Sequence, residues 1–123
     1  MAESLLKKIH KMVEDLPDKT SSGKLMVIAR ITVKPGKEAL FERLAIESKV
    51  SANSDQEPGT HTYRLTRVIG SDAQPIPRKY ILIEEYAGKA ELLIHAQTPA
   101  QENYGKEIGN MIESMDVDTV DEF

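Results

Sequence analysis

Two stretches of this chain, Leu25–Val33 and Tyr80–Tyr86, alternate as β-strands do, yet both of their faces are largely apolar. In Leu25–Val33 one face carries Leu25, Val27, Ala29, Ile31 and Val33, and the other carries Met26, Ile28, Arg30 and Thr32. A strand of this kind needs cover on both sides, whereas a strand with one wet face shows clean apolar–polar alternation. One layer of helices covers only one face of a sheet. A second layer is therefore required, and a chain of 123 residues has little left over to supply it.

The remaining segments define an order. Leu5, Leu6, Ile9, Met12, Val13 and Leu16 recur at three- and four-residue steps, which predicts an amphipathic helix over residues 3–16. Pro17 ends it, and the polar run from Asp18 to Gly23 reads as a linker. Lys34-Pro35-Gly36-Lys37 breaks the first strand. A helix follows from about Glu38 to Ser51, with Leu40, Phe41, Leu44, Ala45, Ser48 and Ala52 along one face. Glu57-Pro58-Gly59-Thr60 turns the chain into a strand over residues 62–69, and Gly70–Pro77 reads as a hairpin loop before the strand at Tyr80. A short helix from Gly88 carries His95, and Pro99 starts another whose stripe runs through Tyr104, Ile108, Met111, Ile112 and Met115. The acidic tail from Asp116 to Phe123 has spaced apolar residues that suit a final edge strand.

The order is an N-terminal helix followed by βαββαβ, an α+β arrangement of the ferredoxin-like kind. We divide the chain into a helix and linker over residues 1–23 and a single α+β domain over 24–123. Two copies packed sheet on sheet would cover the open face, so a homodimer is expected.

Composition narrows function by exclusion. There is no cysteine, which removes disulfides and thiolate chemistry together. A net charge of -4 speaks against nucleic-acid binding, which needs a concentrated basic surface. No apolar run approaches the about 18 residues of a membrane span, and the acidic residues Glu3, Glu14 and Asp15 argue against a mitochondrial presequence. A cytoplasmic protein is expected. His10, His61 and His95 lack metal-ligand spacing, so neither a metal nor another cofactor is expected.

Arg30 stands out in a strand otherwise suited to burial. A buried guanidinium needs a carboxylate, which Glu84 or Glu85 would supply. It reads either as half of an ion pair at a dimer interface or as a group that binds substrate and stabilises an oxyanion.

Taken together, Val33-Lys34-Pro35-Gly36, Glu57-Pro58-Gly59, Tyr63 and the histidine in Ala90-Glu91-Leu92-Leu93-Ile94-His95-Ala96 resemble the antibiotic-biosynthesis monooxygenase family over about Met26 to Met115. The resemblance implies a dimeric α/β barrel and a cofactor-independent monooxygenase acting on an electron-rich aromatic such as a quinol. It assigns His95 as the catalytic base, because an imidazole titrates near neutral pH and can take a phenolic proton. Tyr63, Tyr86 and Tyr104 become candidates for binding the aromatic ligand. Each of them, like His95, can equally be a packing residue with its polar end hydrogen-bonded.

The chain departs from the family in having no tryptophan. Tyr86 stands about where many members place one after the third strand. The strand-one asparagine of haem-degrading members is also absent, with Ala29, Arg30 and Ile31 in that region, which disfavours haem degradation. The alternatives are a non-catalytic small-molecule-binding or stress-related dimeric barrel, and an assembly protein acting through its N-terminal helix.

Overall fold

The computed structural model describes residues 2–123, with side chains from Leu5 onward. Its elements are α1 (Ala2–Asp15), β1 (Leu25–Val33), α2 (Glu38–Ala52), β2 (Thr60–Ile69), β3 (Pro75–Tyr86), α3 (Lys89–Ala96), α4 (Pro99–Met111) and β4 (Ile112–Val120). The strands form one four-stranded antiparallel sheet in the order β2-β3-β1-β4. This is the ferredoxin-like βαββαβ fold preceded by a helix.

The period of two along each strand sorts the core. Leu25, Val27, Ala29, Ile31 and Val33 of β1 face the helices and are buried, as are Tyr80, Leu82 and Tyr86 of β3. Phe41, Leu44, Ala45 and Ala52 of α2 and Tyr104, Ile108 and Met111 of α4 close over them. Phe41 stacks against Tyr80 with ring centroids 4.6 Å apart and meets Tyr104 at 6.1 Å. Such pairs add to the stabilisation that comes from their area alone. α1 lies beside α4, with Leu5, Leu6 and Ile9 on the main core and Val13 and Leu16 on a second cluster around Leu25 and Tyr86.

Two boundaries differ from the sequence reading by more than a residue or two. β3 begins at Pro75 rather than Tyr80, so the hairpin loop is shorter than Gly70–Pro77. Prolines are tolerated there because β1 reaches only as far as Lys79, leaving one side of the segment unpaired. At the other boundary Ile112 and Met115 lie in β4, not on the stripe of α4. A continuing helix would give the Met111 carbonyl to the Met115 amide. Instead that carbonyl accepts from Lys34 N at 2.8 Å, so the chain leaves the helix and pairs with β1.

Among the described residues, none covers the second face of the sheet. Met26, Ile28, Ile81 and Ile83 sit there half-buried, with Arg30, Arg64, Asp116 and Asp118 exposed around them. Among the described residues, no helix is long and apolar enough to cross a membrane.

Candidate functional site

The Glu57-Pro58-Gly59-Thr60 turn builds the site. Thr60 pairs with Tyr86, so the start of β2 lies beside the end of β3 and the entry to α3. Ala87 N donates to the Gly59 carbonyl at 2.9 Å, which ties the turn to that junction. Glu91 of α3 packs directly on Gly59; a Cβ there would lie 2.1 Å from Glu91 Cγ. Glycine therefore lets α3 approach the turn closely, and that approach brings His95 onto Glu57.

His95 and Glu57 are both buried, at 4% and 2% exposure. His95 Nδ1 donates to Glu57 Oε1 at 2.6 Å. Thr60 Oγ1 donates to the same carboxylate oxygen at 3.3 Å, and Ser51 Oγ donates to Oε2 at 2.6 Å. A buried carboxylate is tolerable when its lone pairs are filled in this way. A proton held on Nδ1 by a carboxylate leaves Nε2 as the nitrogen free to accept one. Nε2 lies 3.4 Å from Ser48 Oγ, and the Ser48 hydroxyl makes a shorter bond of 2.6 Å to Gln101 Oε1. Gln101 is itself fixed because Thr98 caps α4 by accepting from Gln101 N.

Glu57, His95 and Ser48 thus form a line of carboxylate, imidazole and hydroxyl. It does not make a serine nucleophile. Ser48 is fully buried, lies outside the cavity wall and donates its hydroxyl to Gln101.

His95 borders a cavity of about 420 Å³ between the sheet and α1, α3 and α4. Its polar wall comprises Tyr63, Glu84, Tyr86, His95, Gln101 and Tyr104. The rings of Tyr63 and Tyr86 lie 4.9 and 5.9 Å from the imidazole. Tyr86 donates its hydroxyl to Glu84 Oε1 at 2.5 Å. Burial raises the Glu84 pKa, against the Tyr86 hydrogen bond and the nearby His95, which both favour the charged form. Burial, reinforced by the Glu84 charge, raises the tyrosine hydroxyls at 63, 86 and 104. The inner wall of the cavity therefore holds neutral phenols, a carboxyl group reluctant to ionise and the His95 imidazole.

Of the residues expected from sequence, His95, Tyr63, Tyr86 and Tyr104 converge on this cavity. Arg30 does not. It lies on the opposite face of the sheet with its side chain 54% exposed, and it pairs at 2.5 Å with Asp118 of β4 rather than with Glu84 or Glu85. Glu84 faces the cavity, and Glu85 points the other way, to Lys24 at 2.6 Å.

Three site residues escaped the sequence reading. Glu84 was legible by parity, standing two residues from both Leu82 and Tyr86. Ser48 showed itself as a polar residue on the apolar stripe of α2. Glu57 gave no signal beyond its turn, since only the β2–β3 pairing brings it to His95, 38 residues away. Among the described residues, no group of three or more His, Asp or Glu side chains could hold a metal ion.

The sequence pattern of the family described as antibiotic biosynthesis monooxygenase matches residues 24–107. Among solved structures, PA3566 from Pseudomonas aeruginosa superposes with a TM-score of 0.71 at 20% identity, over 85% of this chain and 98% of its own. A candidate antibiotic biosynthesis monooxygenase from Caulobacter crescentus gives 0.68 at 25% identity, over 83% and 92%. Rv0793 from Mycobacterium tuberculosis gives 0.66 at 21%, over 81% and 95%. No curated protein matches the chain.

The half-buried Glu84 makes stability depend on pH in a defined direction. Its folded pKa lies above its unfolded one, so the folded state binds the proton more tightly. Its neutral form favours folding below the unfolded pKa, and that contribution is lost as pH rises through the folded pKa. Glu84→Gln keeps an acceptor for Tyr86 and cannot ionise. Thermal melts should show it more stable than wild type at pH 8, with the difference shrinking toward pH 4. A difference that is independent of pH would contradict this.

Proposed function

Because the chain belongs to the antibiotic biosynthesis monooxygenase family, we propose that it is a cofactor-independent monooxygenase of an electron-rich phenol such as a quinol. The observation that carries this reading is the Glu57-oriented His95 on the wall of a largely apolar cavity with three tyrosines. Catalysis here needs a base near its working pH, a dry site for an aromatic ring and a way to keep the base in one tautomer.

The reaction balances without an added reductant. His95 Nε2 takes a phenolic proton, and the electron-rich phenolate ring transfers electrons to dioxygen. A carbon–oxygen bond forms, the oxygen–oxygen bond breaks, and the second oxygen leaves as water. For a hydroquinone the product is a hydroxyquinone plus water, the substrate having supplied all the electrons that dioxygen takes up. Glu57 positions His95 and stabilises the imidazolium formed by the proton transfer, the role a carboxylate plays behind a catalytic histidine elsewhere. Tyr63 and Tyr86 flank the imidazole closely enough to contact an aromatic ligand bound beside it, and the neutral hydroxyls of Tyr63 and Tyr104 can donate to the oxygen developing charge.

The reading includes a homodimer through the open sheet face. Arg64 on β2 lies at one edge of that face, and Asp116 and Asp118 on β4 lie at the other. A two-fold axis would set the basic edge of each copy against the acidic edge of its mate, as an isologous contact requires. Met26, Ile28, Ile81 and Ile83 would then become its dry centre. Arg30 falls inside that contact, which makes it an interface residue rather than a substrate ligand.

Two measurements test these proposals. Oxygen uptake with a panel of hydroquinones should fall about 10²–10⁴-fold in His95→Ala or His95→Gln, and Glu57→Gln should lower kcat while leaving KM nearly unchanged. Wild-type rates in both His95 variants would remove the assigned base. Sedimentation at micromolar concentration should give twice the chain mass, and Ile83→Lys should give the monomer. A wild-type monomer would overturn the dimer.

A further inference from the structure

The family pattern begins at residue 24, yet the cavity is not complete without the segment before it. Leu6, Ile9, Met12 and Val13 of α1 line it, opposite the polar wall that holds His95 and Glu84. His10 and Glu14 also border it, but both are exposed and stand at its margin. The interior surface that α1 contributes is aliphatic and thioether.

α1 is built into this place rather than resting on it. Lys89 Nζ donates to the carbonyls of Glu14 and Leu16 at 2.6 and 3.1 Å, filling acceptors that the helix end leaves open. Lys89 N also donates to the Asp18 carbonyl at 2.9 Å. Lys89 is the first residue of α3, the helix that carries His95. The apolar wall and the imidazole are therefore held to one another through a single short helix. That preorganisation favours a ligand long enough to touch both.

Charge narrows the class further. Neither lysine nor arginine lines the cavity, so no fixed positive charge is present to pair with an anion. The site accordingly suits an uncharged ligand with a hydroxyl at one end and apolar surface at the other.

We propose that α1 is the specificity wall of this chain, and that the ligand is an uncharged phenol bearing an alkyl substituent that packs against Leu6, Ile9, Met12 and Val13. This rests on the reading of the cavity as a phenol site, but it requires no oxygenation.

Calorimetric titration of the full chain with 4-methylphenol and 4-butylphenol, neither of which needs oxygen to bind, separates the two claims. Wild type should bind 4-butylphenol at least about tenfold more tightly, since each buried methylene adds to affinity. Met12→Ala removes part of the wall and should reduce that preference. Val13→Phe fills the space beside it and should abolish the preference. In both variants the affinity should change more for 4-butylphenol than for 4-methylphenol, so the ratio of the two affinities is the readout. Equal affinities in wild type, or a preference unchanged in both variants, would overturn the wall. Binding of neither phenol would overturn the ligand class as well. A wild-type preference lost in the variants, without oxygen uptake by any protein, would support the wall and count only against oxygenation.

Discussion

The hydrogen bond between Glu57 and His95 is the constraint on which the site depends. A carboxylate and an imidazole shielded from water are costly unless each satisfies the other. Every local feature around them serves that satisfaction. The turn at Pro58-Gly59 aims the carboxylate, Gly59 admits Glu91 and so α3, and Ser51 and Thr60 fill the remaining carboxylate positions. The result is an imidazole held in one orientation beside a space large enough for a ring. Ser48 is kept from acting as a nucleophile separately, because its hydroxyl donates to Gln101 Oε1 rather than to His95.

The sheet divides the molecule into two chemistries by parity alone. On one face, Leu82, Glu84 and Tyr86 alternate into the cavity, where burial makes charge expensive and raises the Glu84 pKa. On the other, Ile81, Ile83 and Glu85 present a surface that mixes branched aliphatics with ion pairs. One residue of register along β3 would exchange the two sets. Register here is therefore a functional quantity as well as a structural one, and the Thr60–Tyr86 pairing that fixes it also delivers Glu57 to His95.

The fold was legible because each element has a strong local period. β1 shows it best, its bounds following directly from alternation between Gly23 and Pro35. Where local pattern misled, a long-range bond decided: the Lys34 amide ended α4 before Met115, and the missing β1 partner let β3 run back to Pro75. The site was half legible. Histidine and tyrosine declare their chemistry by type, and four of them meet in one cavity. Arg30 misled because its strand is apolar on both faces, so sequence could not say which face was the cavity side. Glu57 was hidden because its partner is distant in sequence and its turn motif already had a sufficient structural explanation.

The state of the His95 imidazole tests the account most directly. Nitrogen-15 NMR of the imidazole, recorded above the pH at which it titrates, reports which nitrogen carries the proton. The account requires the proton on Nδ1, shared with Glu57, and a bare Nε2 whose resonance moves when a phenol enters the cavity. A proton resident on Nε2, with Nδ1 bare, would mean that Glu57 does not set the tautomer and that His95 is not the base described.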